Sequence, residues 1–168
     1  LIKVMKRGEL VPSFVVSNLW IDKLEKFKQL TKFNGFVSDG SPRKIVEAKP
    51  FEDALNWYEW QENVKVVFIN ISKKESFNRL TKRRQSKKCG RLIPWLGKWK
   101  SFKKCDQCGG QLISRIDDNP ASIKKRLEEF KEEVIPVINY YKKQKRLIKI
   151  NGEQSIEDVF KDILKSLR

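Results

Sequence analysis

Histidine is absent from all 168 residues. That excludes an imidazole general base, the Ser/His and Cys/His nucleophile pairs, and every His-ligated metal. Cysteine is scarce. Three residues cannot build the disulfide framework of a small secreted domain, so a reducing, cytoplasmic compartment is expected. No apolar run is long enough to span a bilayer and no secretory signal opens the chain, so no membrane partner is expected. Acidic residues are few beside basic ones, 21 Asp and Glu against 37 Lys and Arg, a net charge of +16. Such an excess suits nucleic acid, phosphorylated metabolites or an acidic membrane face. A lysine-rich solvated surface gives the same total, so the positions of the arginines have to decide.

What is present suffices for a core. Hydrophobic residues make up 39% and aromatics 11%, which argues against disorder, and the length allows one domain with a small inserted module. The opening run Leu1-Ile-Lys-Val-Met-Lys reads as a helix ending near Gly8. Pro12-Ser13 starts an amphipathic stretch with Val15, Val16, Leu19, Leu24 and Phe27 at near-helical spacing. Gly35 to Gly40 suits a buried strand running into a loop, and a helix follows over about 44–60 with Pro50 disturbing it. The β-branched run Val64 to Ile71 is the clearest strand, and Ser72 can cap the helix after it, which turns Phe77 and Leu80 inward. Between Gln85 and Ile116 lie all three cysteines, two tryptophans and many lysines, the texture of an inserted module. Asn119-Pro120 opens the longest helix, with Pro136 as a kink. Arg146 to Ile150 reads as a strand, and Ser155-Ile-Glu-Asp158 as a capping box before a last helix. Strands alternating with helices point to an α/β fold with a parallel sheet.

Several runs, in order and spread over essentially the whole chain, carry a resemblance. They are Gly8-Glu-Leu-Val-Pro12, Gly35-Phe-Val-Ser-Asp-Gly-Ser-Pro-Arg43, Arg79-Leu-Thr-Lys-Arg-Arg84 and Cys105-Asp-Gln-Cys-Gly-Gly110, then Arg115-Ile-Asp-Asp-Asn-Pro120, Lys124-Lys-Arg126 and Asn151-Gly-Glu-Gln154. The chain resembles the adenylate kinases, nucleoside monophosphate kinases of the long-lid type. The resemblance implies a P-loop NTPase-like parallel sheet flanked by helices, with a remnant of the AMP-binding segment over 1–11. Core would occupy 12–81 and 119–168, and a zinc-ribbon-like lid 82–118. It implies reversible transfer of the terminal phosphate of MgATP to AMP, giving two ADP, by a monomer. The family's first strand, glycine-rich phosphate loop and first helices have no counterpart here: Gly-x4-Gly-Lys-Ser/Thr is nowhere in the sequence. That loop cradles the donor's phosphates and holds Mg²⁺, so the chain is expected to be truncated and inactive alone. Two other readings remain: a basic zinc-ribbon module that binds nucleic acid, and a noncatalytic kinase remnant. Few aromatics sit on the ribbon, which makes nucleic acid the weaker partner.

Phosphoryl transfer needs two polyanions held in line with their charge neutralised, and planar guanidinium forks do this bidentately. By resemblance Arg43 grips the AMP phosphate. Arg79 and Arg83 face ATP and the transferring group, and Arg115 and Arg126 clamp phosphates across the closing lid. For each one alone, a solvated surface arginine is the plain alternative. The AMP base is enclosed by Glu9, Leu10 and Val11, with Gly40, Ser41 and Pro42 approaching the ligand, and Asp39 helps to order the Mg²⁺ water shell. Leu92, Ile93 and Gln154 fall at positions near the donor base. Two departures bear on the acceptor. Ser41 stands where the family has Phe. Glu47 stands where a Gln reads adenine, and an ionised Glu can only accept hydrogen bonds, so altered acceptor-base selectivity is expected. In the lid, Cys105-x2-Cys108 is a thiolate knuckle, Cys89 a third sulfur and Ser86 a weak fourth donor. A structural zinc site of reduced affinity and a metal-free lid held by packing are both open. Trp95 and Trp99 are expected to form the lid's own small core, and Asp117-Asp118 to meet arginines at its hinge.

Overall fold

The structure, a computed structural model, describes residues 11–115 and 117–167. The helix end expected near Gly8 therefore lies outside the described residues. In chain order the elements are α1 (Ser13–Lys28), α2 (Ile45–Trp57), a 3-10 turn (Gln61–Asn63), β1 (Val66–Asn70), α3 (Lys73–Lys82), β2 (Arg84–Ser86) and β3 (Leu92–Ile93). A second 3-10 turn (Gly97–Ser101), β4 (Leu112–Ser114), α4 (Pro120–Glu129), a π turn (Phe130–Val134), α5 (Ile135–Lys143), β5 (Leu147–Asn151) and α6 (Ile156–Ser166) follow. Two compact units result. Among the described residues, one holds 11–66 with 129–147, the other 67–115 and 117–128 with 148–167.

β1 and β5 are sheet neighbours. The Val66 N–H donates to the Arg146 carbonyl just before β5, and the Gly152 N–H donates to the Asn70 carbonyl just after it, so the two strands run parallel. Mixed α and β elements around a parallel pair agree with the α/β expectation. Gly35 to Gly40 does not. It is irregular, Val37 is 95% exposed, and only Phe36 turns inward, stacking 5.5 Å from Phe27. Apolar residues make a strand only where a neighbour completes the ladder, and among the described residues that neighbour of β1 is β5.

In the first unit α1 lays Leu24, Trp20 and Phe27 against Phe51, Leu55 and Tyr58. Leu19, expected inward, is 57% exposed; Trp20 takes the inward position, its ring edge-on to Phe51 at 5.1 Å. Pro50 does not end α2. The Val46 carbonyl that loses its donor lies on an exposed turn, where water can serve it, while Ala48, Phe51 and Leu55 stay buried. Val137 and Tyr141 of α5 pack on Ala48. A π turn (Phe130–Val134) precedes Pro136, which sits in the first turn of α5.

In the second unit, β2 lies between β3 and β4 in an antiparallel sheet, with Arg84 opposite both Ile93 and Ser114. Three local signals act as expected. Ser72 Oγ accepts from the Glu75 N–H (3.2 Å) and Asn119 Oδ1 from the Ser122 N–H (2.9 Å). Ser155 Oγ accepts from the Asp158 N–H (3.1 Å), though its hydroxyl also donates to Asp158 Oδ2 (2.6 Å), so the box closes through side chains. Gly152 is required for contact rather than for a turn. A Cβ there would lie 2.7 Å from Cγ2 of both Ile69 and Ile71. Gly152→Ala is expected to destabilise the protein by about 1–3 kcal/mol through overpacking, read as a lowered urea midpoint with unchanged slope.

Candidate functional site

A cavity of about 220 Å³ in the first unit is lined by Val11, Val16, Gly40, Ser41, Arg43, Lys44 and Glu47. Of the acceptor residues expected from sequence, Glu9 and Leu10 lie outside the described residues, while Val11, Gly40, Ser41, Arg43 and Glu47 meet here. Pro42 follows a cis peptide bond, and Asp39 is exposed in the adjoining bend. Arg43 is exposed, and its Nε–H donates to the Gly40 carbonyl at 2.8 Å. Glu47 is 3% exposed. Its Oε1 accepts from the Ser13 hydroxyl (2.8 Å) and its Oε2 from the Arg43 N–H (2.9 Å). The carboxylate thus ties the start of α1 to the loop before α2. Ser13 went unnoticed in the sequence because it lies 34 residues from its partner.

In the second unit the other four arginines all meet carboxylates. Arg83 holds Asp118 with two bonds, Nε to Oδ2 at 2.8 Å and Nη2 to Oδ1 at 2.6 Å. Arg126 reaches the same Oδ1 at 3.3 Å. The Asp118 carboxylate has no exposed side-chain surface, so it is a buried anion shared by two cations. Arg115 holds Asp117 bidentately at 2.8 and 2.7 Å. Burial pushes the Asp117 carboxyl up, and the Arg115 fork, a backbone N–H and the charge of Arg126 together more than offset this, leaving it below the usual carboxylate range. Arg79 stays on its own helix, with Nε 2.6 Å from Glu75 Oε1, and holds that carboxyl low as well. These bidentate forks are the geometry that also grips phosphate oxygens.

Of the residues assigned to the donor base, Leu92 is 43% exposed, Ile93 is fully buried, and Gln154 donates to Asp162 Oδ2 at 2.6 Å. Sequence reasoning missed Arg84. Its guanidinium binds the carbonyls of Phe102 (2.7 Å), Trp99 and Lys100 (both 3.2 Å) and stacks 5.4 Å from the Trp95 ring, with Lys82 on that ring as well. Nothing local separates it from its basic neighbours. Trp95 thus meets two cations within the module.

The cysteines come together on two matching turns. The Gly90 N–H donates to the Ser86 carbonyl and the Gly109 N–H to the Cys105 carbonyl, both at 2.9 Å, with the two glycines at φ 75° and 66°. Cys89 Sγ lies 3.7 Å from Cys105 Sγ and 3.2 Å from Cys108 Sγ, and Ser86 Oγ lies 3.3 Å from Cys108 Sγ. Donors 2.3 Å from a central zinc would be about 3.8 Å apart, so the three sulfurs could supply three corners of a tetrahedral zinc site, with the Ser86 hydroxyl beside Cys108. Gly110 keeps the cradle open, since a Cβ there would lie 3.0 Å from Ser86 Oγ and 2.8 Å from Lys88 Cβ. The Ser86 hydroxyl, then the Arg91 backbone and Cys108, hold the Cys89 thiol below its ordinary value.

Residues 1–146 match the family model described as adenylate kinase. An adenylate kinase of Petrotoga mobilis is 34% identical over 167 residues, covering 98% of this chain and 74% of that protein. One of Alkaliphilus oremlandii is 35% identical over 168 residues (97% and 74%), and one of Caldanaerobacter subterraneus subsp. tengcongensis 37% over 164 (97% and 72%). Among the described residues no helix is long and apolar enough to cross a membrane.

Proposed function

Because the chain belongs to the adenylate kinase family, we propose that it serves reversible phosphoryl transfer from MgATP to a nucleoside monophosphate. AMP is the acceptor of the family reaction, which gives two ADP. The observation that carries this reading is the grouping of Arg83, Arg115 and Arg126 on the Asp117-Asp118 pair. Always-charged forks held ready by carboxylates can exchange them for phosphate oxygens without leaving a cation unpaired. Arg43 takes the acceptor's phosphate beside the cavity. Arg79 and Arg83 serve the donor and the transferring group, and Arg115 and Arg126 clamp phosphates as the lid closes. Asp39 orders water around the Mg²⁺ of MgATP. Leu92 offers the exposed apolar surface for the donor base, and Ile93 supports it from beneath. Gln154 adds the loop after β5.

Residues 82–118 act as the lid, flanked by core over 12–81 and 119–168, with 1–11 the end of the AMP-binding segment. Cys89, Cys105, Cys108 and Ser86 would hold a structural zinc ion. Bound there, it supplies a cross-link between the two turns and no chemistry. We place the enzyme in the cytoplasm as a monomer. A glycine-rich phosphate loop is not among the 168 residues, so the chain alone is expected to bind nucleotides without turnover.

Isothermal titration with nucleoside monophosphates tests the assignment. Arg43→Ala is expected to weaken their binding at least about tenfold, as loss of a charge-assisted pair should, and to leave ATP binding unchanged. Equal affinity in both proteins would remove Arg43 from the site. A coupled assay for ADP distinguishes enzyme from remnant once a Gly-x4-Gly-Lys-Ser/Thr segment is joined ahead of Leu1. Turnover supports the kinase, and binding without it supports the remnant.

A further inference from the structure

The cavity beside Arg43 carries a hydrogen-bonding pattern unsuited to adenine. At about 220 Å³ it is smaller than the roughly 300–1,000 Å³ of whole-ligand pockets, so it takes part of a nucleotide rather than all of it. Two polar side chains of its lining matter here, Glu47 buried and Ser41 half-buried, and neither is free to behave as a glutamine would. Glu47 has one lone pair of each carboxylate oxygen taken, by the Ser13 hydroxyl and by the Arg43 N–H. The lone pairs that remain can only accept. Ser41 Oγ is buried with no hydrogen-bond partner among the described residues. A buried hydroxyl left in that state costs free energy until a ligand or water engages it.

Purine edges differ in what they bring to such a wall. Adenine presents its 6-amino donor next to the N1 acceptor, so one of its two groups would face Glu47 acceptor to acceptor. Guanine presents N1–H and the 2-amino group side by side, two donors for two carboxylate oxygens, with the 6-oxo oxygen still needing a donor. The unpartnered Ser41 hydroxyl is such a donor. We propose that this pocket selects a 6-oxopurine nucleoside monophosphate, guanine above all, over an adenine one. Glu47 reads N1–H and the 2-amino group, and Ser41 serves the 6-oxo oxygen. The inference rests on reading the cavity as the acceptor site.

The test is calorimetric titration of the 168-residue chain and two variants with GMP, IMP and AMP. GMP is expected to bind at least about tenfold more tightly than AMP, because a site built to pair a polar edge penalises the mismatched one strongly. IMP, with N1–H but no 2-amino group, should fall between them. Glu47→Gln should reverse the order of GMP and AMP. Ser41→Ala, which disturbs no existing bond, should weaken GMP alone, and it keeps the question decidable if Glu47→Gln unfolds. AMP binding as tightly as GMP, or a Ser41→Ala variant with unchanged GMP affinity, would overturn the proposal. Failure of all three nucleotides to bind would instead remove the acceptor-site reading, and this inference with it.

Discussion

Replacing Asp118 with alanine is expected to destabilise the second unit by about 3–5 kcal/mol, the cost of removing one partner from a buried charge cluster. The carboxylate is wholly buried, and the Arg83 side chain is only 18% exposed, so water cannot take over the lost pairing. Arg126, at 38%, reaches solvent more readily, and Arg126→Ala should therefore cost far less. Urea denaturation of the three proteins reads the order directly. The freed forks should also make Asp118→Ala the variant most stabilised by added pyrophosphate, since a ligand that binds only the folded state raises its stability by mass action. If Asp118→Ala unfolds at the midpoint of the parent and gains nothing from pyrophosphate, the forks are not the phosphate grip proposed for them.

The second large effect concerns the two glycine turns. Ser86→Cys is expected to tighten zinc binding by about 10–100-fold, because a thiolate replaces the weakest of four donors where its oxygen already lies 3.3 Å from Cys108 Sγ. Cys105→Ser, which leaves two sulfurs, should abolish it. Competition against a chromophoric chelator gives both affinities. Chelation of the zinc-loaded parent should lower its thermal midpoint, because binding free energy at such a site is folding free energy. Equal zinc affinity in the parent and Ser86→Cys would place the fourth donor elsewhere, and absence of binding in both would leave a lid held by packing.

What the sequence determined by itself is short-ranged. Ser72, Asn119 and Ser155 each cap the helix that begins at the next residue, by a bond to a backbone N–H three positions on, so the chain segment alone specifies them. The same holds for the glycine turns at Cys89 and Cys108, whose closing bonds span four residues. The ordered arginine motifs were legible too, though only as residue types. The tertiary structure alone decided what those residues touch. Arg83 finds Asp118 across 35 positions, Ser13 finds Glu47 across 34, and Arg84 binds carbonyls 15 to 18 residues away. It also decided that Gly35 to Gly40 is not a strand, since ladder bonds come from a neighbour and not from the segment's own apolar residues. A bond between near residues is set by local dihedral angles, whereas a distant pair forms only after the intervening chain has folded and its closure entropy has been offset by packing.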